Sequence, residues 1–242
     1  MKVAVVSDIH ANLHALSAVL AELDRDPPDE LWCLGDVVGY GPDPNGCCAE
    51  IARRADVCLA GNHDLAVLGV LAIDDFNGDA AAAVRWTQSV LDDSSRAFLA
   101  GLEPTATRPG VELFHGSPAD PVWDYVLSEQ AAEWSFRLTT APLLLVGHSH
   151  VPLALGWDGE TIDGGLAAEG EEVDLAARRR LLNPGSVGQP RGNDPRAAFL
   201  ELDFDARRAH FRRIPYAVEL TQAAIVDAGL PATLAERLGY GI

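Results

Sequence analysis

Five short apolar runs along this 242-residue chain each end in a polar cluster, and that arrangement constrains the fold more than any other feature. The runs are Val3–Val6, Leu31–Leu34, Val57–Ala60, Val111–Phe114 and Leu143–Val146. They lead into Asp8-Ile9-His10, Gly35-Asp36, Gly61-Asn62-His63-Asp64, His115-Gly116 and Gly147-His148-Ser149-His150. Short runs rich in Val and Leu read as buried strands. Ligand sites of α/β proteins gather at the carboxyl ends of such strands. Strands lying side by side would bring all five clusters to one place, rich in the carboxylate, amide and imidazole groups that bind first-row transition metals. A lone Asp or His after a strand is usually a turn or capping residue. Capping alone does not account for five of the chain's 7 histidines standing at strand ends.

The rest of the chain fits a layered α/β architecture. Asn12–Leu23 reads as a helix with Leu13, Leu16, Leu20 and Leu23 on one face, and Pro44–Arg54 as a second helix. This βαβαβ opening predicts parallel strands with helices outside. Residues 77–101 read as two helices with no strand between them. From 143 onward strand patterns dominate, at 143–146, 152–157, 180–182, 197–203 and 209–214. Residues 216–239 read as one or two closing helices. The Gly- and Glu-rich stretch Gly164–Glu172 is predicted to be a mobile loop, and the Arg-flanked run 207–213 a solvated sheet edge. One domain is expected over 1–242, with a helical insertion at about 74–102.

Charge and cysteine usage narrow the function. A formal charge of −18 excludes the basic footprint that nucleic-acid polymers require. It leaves a nucleotide substrate open, because bound cations invert local charge. No apolar run reaches membrane-spanning length, and Met1-Lys2-Val3 enters a strand directly, so a cytoplasmic protein without a membrane partner is expected. Cys33, Cys47, Cys48 and Cys58 show no Cys-x-x-Cys spacing and read as small buried hydrophobes, with a redox role for Cys47-Cys48 as the alternative.

In order and wording these motifs resemble those of the calcineurin-like metallophosphoesterases, in particular their small bacterial and archaeal phosphodiesterase branch. The resemblance extends from residue 2 to about 214 and includes Asn183-Pro184-Gly185-Ser186-Val187-Gly188-Gln189-Pro190-Arg191. It implies a four-layer α-β-β-α sandwich with two packed mixed sheets. It also implies two divalent transition-metal ions. One would be held by Asp8, His10 and His150, the other by Asn62, His115 and His148, with Asp36 bridging. Spacing alone does not divide His148 from His150. The mixed O and N donors fit Mn, Fe, Co, Ni or Zn, with Mn favoured, and the absence of thiolates argues against a structural zinc-sulfur site.

The resemblance further implies in-line hydrolysis by a hydroxide that the ions activate. It gives His63 the task of protonating the leaving oxygen or stabilising its charge. Asp64 follows directly and is placed to orient that imidazole. Around the metals, Arg191 is the candidate phosphate clamp. Tyr40 either contacts substrate or packs its loop. Asn12 and His14 begin the first helix near Asp8 and His10; His14 reads as a solvated or capping residue, with a pocket-facing role as the alternative. Trp123, Asp124 and Tyr125 can form one pocket wall. The chain departs from protein Ser/Thr phosphatases, and from the symmetrical diadenosine tetraphosphate hydrolases that resemble them, at Gly39 and Tyr40, where those enzymes carry an Arg; at Asp64 the protein phosphatases have Glu. A small phosphodiester or nucleotide is therefore the expected substrate. The alternatives are a dinucleoside polyphosphate, a phosphoprotein and, in a different class, a non-catalytic protein-binding scaffold.

Overall fold

Alternation along the strands decides the layering. In the computed structural model, which describes residues 1–242, β1 (Lys2–Val6) turns Val3 and Val5 to one face and Ala4 and Val6 to the other. Both faces are buried, so both sets are apolar. Helices α1 (Leu13–Leu23) and α2 (Pro44–Arg54) cover the Ala4/Val6 face and add Leu16, Val19, Leu20, Cys47, Cys48 and Ile51 to that core. Each begins at a capping side chain: Asn12 accepts from the Ala15 N–H and Asp43 from the Gly46 N–H.

The first sheet adds β2 (Glu30–Cys33) and the two-residue β3 (Val57–Cys58), both parallel to β1. Its other half is antiparallel: β11 (Ala197–Asp203) pairs with β1, β12 (Arg208–Ile214) with β11, and β9 (Glu172–Asp174) with β12. The second sheet runs in the order β4 (Thr105–Arg108), β5 (Val111–Phe114), β6 (Leu143–Val146), β10 (Arg179–Asn183), β7 (Leu153–Trp157), β8 (Ile162–Leu166). The inner faces pack on each other through Val3, Val5, Trp32, Leu113, Leu145 and Leu182. Helix α6 (Glu129–Leu138) covers the outer face of the second sheet through Phe136. The result is the α-β-β-α sandwich with two mixed six-stranded sheets.

Five further helices complete the fold: α3 (Asn62–Val67), α4 (Gly78–Val90), α5 (Asp93–Ala100), α7 (Val218–Asp227) and α8 (Ala232–Tyr240). α5 packs on α2 and α7 on α1. α4 and α8 meet over Tyr40 in a small core of their own. No helix is long and apolar enough to cross a membrane.

Three sequence expectations are corrected. The stretch predicted to be a mobile loop contributes its start to β8 and its end to β9. The Arg-flanked run is not an edge: β9 covers β12, and Arg212 is paired with Glu201 and Glu22, Arg213 with Asp194. The third apolar run is a strand only at Val57 and Cys58, after which Leu59 makes a single bridge to Glu103. The four cysteines are free thiols.

Candidate metal centre

The loops after β1, β2 and β6 have backbones bent into the left-handed region. Asp8, His10, Ala11, Asp36, Tyr40, His148 and His150 all have φ between 49° and 61°. Such a conformation costs about 1–3 kcal/mol per non-glycine residue and persists only when its surroundings hold it. Here the loops brace one another. Asp8 N–H donates to Gly35 O (3.0 Å), His10 N–H to Asp36 O (2.9 Å) and Gly147 N–H to His115 O (2.8 Å). Gly61 has no side chain because a Cβ there would lie 2.0 Å from Asp36 Oδ1. The segment after β10 closes the ring. Ser186 Oγ donates to Asp8 O (2.7 Å), and Asn183 Nδ2 donates to Gly147 O (2.7 Å) and Ser149 Oγ (3.0 Å). Sequence reading marked Asn183 and Ser186 only as part of a motif; their role as braces depends on contacts with residues far away in the chain.

The braces leave one face of each polar side chain free. Asp8 Oδ2 accepts from His148 N–H, and Asp36 Oδ1 accepts from His63 N–H. Their other oxygens, Asp8 Oδ1 and Asp36 Oδ2, are buried with no hydrogen-bond partner. The imidazoles follow the same rule. Nδ1 of His10, His115 and His150 faces the carbonyl oxygens of Val38 (3.2 Å), Leu34 (2.8 Å) and Gln189 (2.7 Å). A proton placed on Nδ1 satisfies those carbonyls and leaves Nε2 as a lone pair. These lone pairs point at one another. His10 Nε2 and His150 Nε2 are 3.0 Å apart, with Asp8 Oδ1 3.4 Å from the latter. Asp36 Oδ2 lies 3.6 Å from His10 Nε2 and 3.5 Å from His115 Nε2, which is itself 3.3 Å from Asn62 Oδ1. Nε2 of His148 is buried and unpartnered.

Donor atoms of Asp8, His10 and His150 lie within 4.8 Å of one another, as do those of Asp36, His115 and His148, and those of His10, Asp36 and His63. All seven predicted ligands therefore meet at one spot, with Asp36 common to both halves and His63 beside it. Buried acceptors facing each other with no donor between them are costly. A cation removes that cost, and the oxygen–nitrogen donor set suits a divalent transition metal.

Burial sets the charge state of this cluster. It pushes the Asp8 carboxyl up to about 7 and raises Asp36 well above the ordinary carboxylate range, with Asp64 adding to the second. It holds His10 and His150 well below the ordinary imidazole range. Burial, then repulsion from His115, pushes His63 down to about 3 and His148 to about 2. Neutral imidazoles are the form in which His binds metal.

Two predicted site residues have other tasks. Asp64 does not touch His63. Its carboxylate accepts from the N–H groups of Gly61 (2.9 Å), Val38 (3.0 Å) and Val37 (3.3 Å), so it ties two ligand loops together. Asn12 is consumed by the fold: it caps α1, donates to Gly188 O and Tyr216 OH, and accepts from Thr221 OH. His14 pairs with Thr221 Oγ1 at 3.1 Å and does not face the cluster.

A cavity of ≈ 100 Å³ opens onto the cluster, lined by Asp36, Asn62, His63, His148 and His150 at its floor and by Tyr40, Phe76, Trp123, Tyr125 and Arg191 higher up. Clefts of ≈ 270 and ≈ 330 Å³ lie elsewhere but contain none of these ligands, so chemistry rather than size identifies the site. Tyr40 packs its ring on His63 (4.4 Å) and His10 (4.7 Å), and burial pushes its phenol up to about 12. Arg191 has no carboxylate partner, and its Nε is buried and unsatisfied.

Comparison with known proteins gives a consistent family. The sequence profile of the calcineurin-like phosphoesterase superfamily domain matches residues 1–206. An uncharacterized protein of Methanocaldococcus jannaschii is 34% identical over 244 residues, spanning 99% of this chain and 98% of its own. The crystal structure of a metallophosphoesterase from Sphaerobacter thermophilus superposes with a TM-score of 0.91 at 37% identity, covering 100% of this chain and 99% of that one. A symmetrical bis(5'-nucleosyl)-tetraphosphatase of Edwardsiella ictaluri is 35% identical over 75 residues, 30% of this chain and 27% of its own length.

Proposed function

The chain belongs to the calcineurin-like phosphoesterase superfamily, a family of phosphoester hydrolases, and from that premise we propose that it hydrolyses small phosphodiesters or nucleotides at the cluster just described. The observation that carries this reading is the set of unpartnered lone pairs: Asp8 Oδ1, Asp36 Oδ2 and His148 Nε2 are buried and face shared space with no proton donor. Asp8, His10 and His150 would hold one divalent ion and Asn62, His115 and His148 a second, with Asp36 common to both. Bound there, two such ions would supply Lewis acidity and would lower the pKa of a water for attack at phosphorus.

The chain's own residues supply the rest. Asp64 keeps the Asp36 and Asn62 loops in register through three backbone amides. Arg191 offers the phosphoryl oxygens an uncommitted guanidinium. His63 stands at the cavity wall as a neutral imidazole. An anionic substrate beside it favours the imidazolium, so His63 takes up its proton with the substrate and gives it, or a hydrogen bond, to the leaving oxygen. The acidic chain and the small cavity favour a small substrate over a phosphoprotein. Gly39 and Tyr40 add no guanidinium to help Arg191. The local identity to symmetrical tetraphosphatases supports a dinucleoside polyphosphate as the second reading.

The test is turnover of a chromogenic phosphodiester by chelator-treated protein, before and after adding Mn, Co, Ni, Fe or Zn. We expect no activity without metal and recovery with at least one of them, Mn foremost. A chain that binds these metals yet hydrolyses no diester, monoester or dinucleoside polyphosphate would instead support the scaffold reading.

A further inference from the structure

The chain has 7 Phe, 5 Trp and 4 Tyr, and four of them line the one small cavity above the cluster: Tyr40, Phe76, Trp123 and Tyr125. They are arranged with a direction. From His63 the first ring outward is Phe76, edge-on at 5.0 Å and 72°. The next is Trp123, 5.1 Å from Phe76 at 59°. These two rings pack on each other but come from segments far apart in the chain. Phe76 stands just before α4, and Trp123 lies in the loop between β5 and α6. Neither ring is needed to position a proposed ligand. Tyr125, by contrast, lies flat on His148 at 4.0 Å and 14°, and Arg191 reaches Ser149 O between the two histidines of that loop. The guanidinium thus lies on the His148–His150 side, loosely held and free to bind, and the aromatic run starts at His63.

We propose that Phe76 and Trp123 form a stacking wall for the leaving group, and that the substrate class is a phosphodiester whose departing alcohol carries a planar ring, as a nucleoside does. This rests on the phosphodiester reading above and on His63 as the group that meets the leaving oxygen. An in-line displacement sends the leaving oxygen to the His63 side, so whatever is attached to it lies along Phe76 and Trp123. Those faces give no partner to a second phosphate. Asp75, the carboxylate on the same rim, repels one and accepts instead from an amine on the edge of a base. A nucleobase presents both a π-face and such an edge. The helical insertion would then serve specificity, delivering Phe76 and Asp75 to the mouth of a site built by the rest of the chain.

The experiment compares two diesters of the same phosphate in Mn-loaded full-length protein. One releases a nucleoside through its 5′ oxygen; the other releases a small alkyl alcohol of similar acidity. We expect kcat/KM to favour the nucleoside ester by about tenfold or more, the range of one stacked base. Phe76→Ala and Trp123→Ala should each shrink that ratio severalfold, and Trp123→Phe should keep most of it. A second readout needs no metal: adenosine should quench Trp fluorescence more in the parent than in Trp123→Phe. Equal turnover of the two diesters by the parent, or a ratio unmoved in both alanine variants, overturns the wall while leaving the phosphodiester reading intact. Failure of the parent to hydrolyse either diester overturns that reading and the wall with it.

Discussion

The floor of the site and its rim are built on opposite plans. On the floor, Asp8 and Asp36 each anchor one carboxylate oxygen on a backbone amide and aim the other inward, and three imidazoles anchor Nδ1 on a backbone carbonyl. The backbone beneath them is bent and braced from several loops at once. The side chains of the rim are held by ring contacts and by one long hydrogen bond from Arg191, and Tyr125 is 43% exposed. A floor of this kind fixes geometry within the tolerance that metal chemistry demands. A rim of this kind can change its residues without disturbing the floor. The chemistry should therefore be rigid to mutation and substrate preference adjustable.

The sharpest way to break that contrast is to remove the side chain shared by both halves of the floor. Asp36→Ala should nearly match the effect of chelation. Losing an outer partner of a metal ligand already costs about 10–100-fold in affinity or activity, and a shared ligand should cost more. Metal content after dialysis and turnover at saturating Mn check this. Parent-like metal retention by Asp36→Ala would show that the two halves do not share an ion-bridging group.

His63 lies where floor and rim meet. His63→Ala should retain metal and lose about 10²–10⁴-fold in turnover of an alkyl leaving group, the usual contribution of an acid–base catalyst. The loss should shrink for nitrophenolate, which leaves with little protonation. Equal losses for both leaving groups would make His63 a packing residue of the rim. Asp64→Ala tests the neighbouring position differently. It strips an acceptor from three backbone N–H groups, so stability should fall by about 2–4 kcal/mol. That corresponds to a drop of roughly 4–16 °C in Tm for a chain of this size. Unchanged Tm with lost turnover would restore Asp64 to the catalytic role its position after His63 suggested.

A milder probe is proton competition. Burial pushes Asp8 up to about 7, so below that pH the metal-free floor carries a proton there that an ion must expel. His63 and His148, pushed down to about 3 and 2, are neutral across the same range and release nothing. Metal affinity should therefore fall on acidification below about pH 7, by at least about tenfold per pH unit, because Asp36, held up by burial and by Asp64, gives up a proton as well as Asp8. The same shift acts on folding. A carboxyl held above its unfolded value keeps a proton that the unfolded chain loses, so its contribution to metal-free stability declines as pH rises from about 4 towards 7. Metal should then raise Tm more at pH 7.5 than at pH 5.5. Calorimetric titrations with Mn at several pH values decide between this and a pH-independent floor.

The contrast also governs what the sequence revealed. The convergence of the floor was legible because its candidate ligands stand within a few residues of the ends of apolar strands, where local spacing and three-dimensional position coincide. β4, β8 and β9 were missed because Thr105–Arg108, Gly164–Leu166 and Glu172–Asp174 carry too few apolar residues to alternate; neighbouring strands, not their own pattern, make them strands. Asn12 and Asp64 were misread for a related reason. Nothing in a local window tells that Thr221 and Tyr216 will occupy the first, or that the amides of Val37 and Val38 will occupy the second. On the rim, Tyr40, Trp123, Tyr125 and Arg191 were marked from the sequence, whereas Phe76, just before α4, carried no local signal because only the fold brings it to the cavity.

Arg191 offers the finest division between the two plans. It follows the brace of Asn183–Gln189, yet its guanidinium makes one contact at 3.4 Å and leaves Nε unsatisfied. A group held that loosely should act by binding more than by positioning. Arg191→Ala should raise KM for a small diester about tenfold, the value of one hydrogen bond to a charged group, and change kcat less than about threefold. The same variant should lose little against phosphoprotein, which meets no second guanidinium at Gly39 or Tyr40 and should be the poorer substrate of the parent. Michaelis curves for both substrates at one pH and one metal test this directly. A collapse of kcat at constant KM would move Arg191 to the floor, where contacts matter only in the transition state. A parent that prefers phosphoprotein would mean that the rim recognises a dianion, and the small-diester reading would fall.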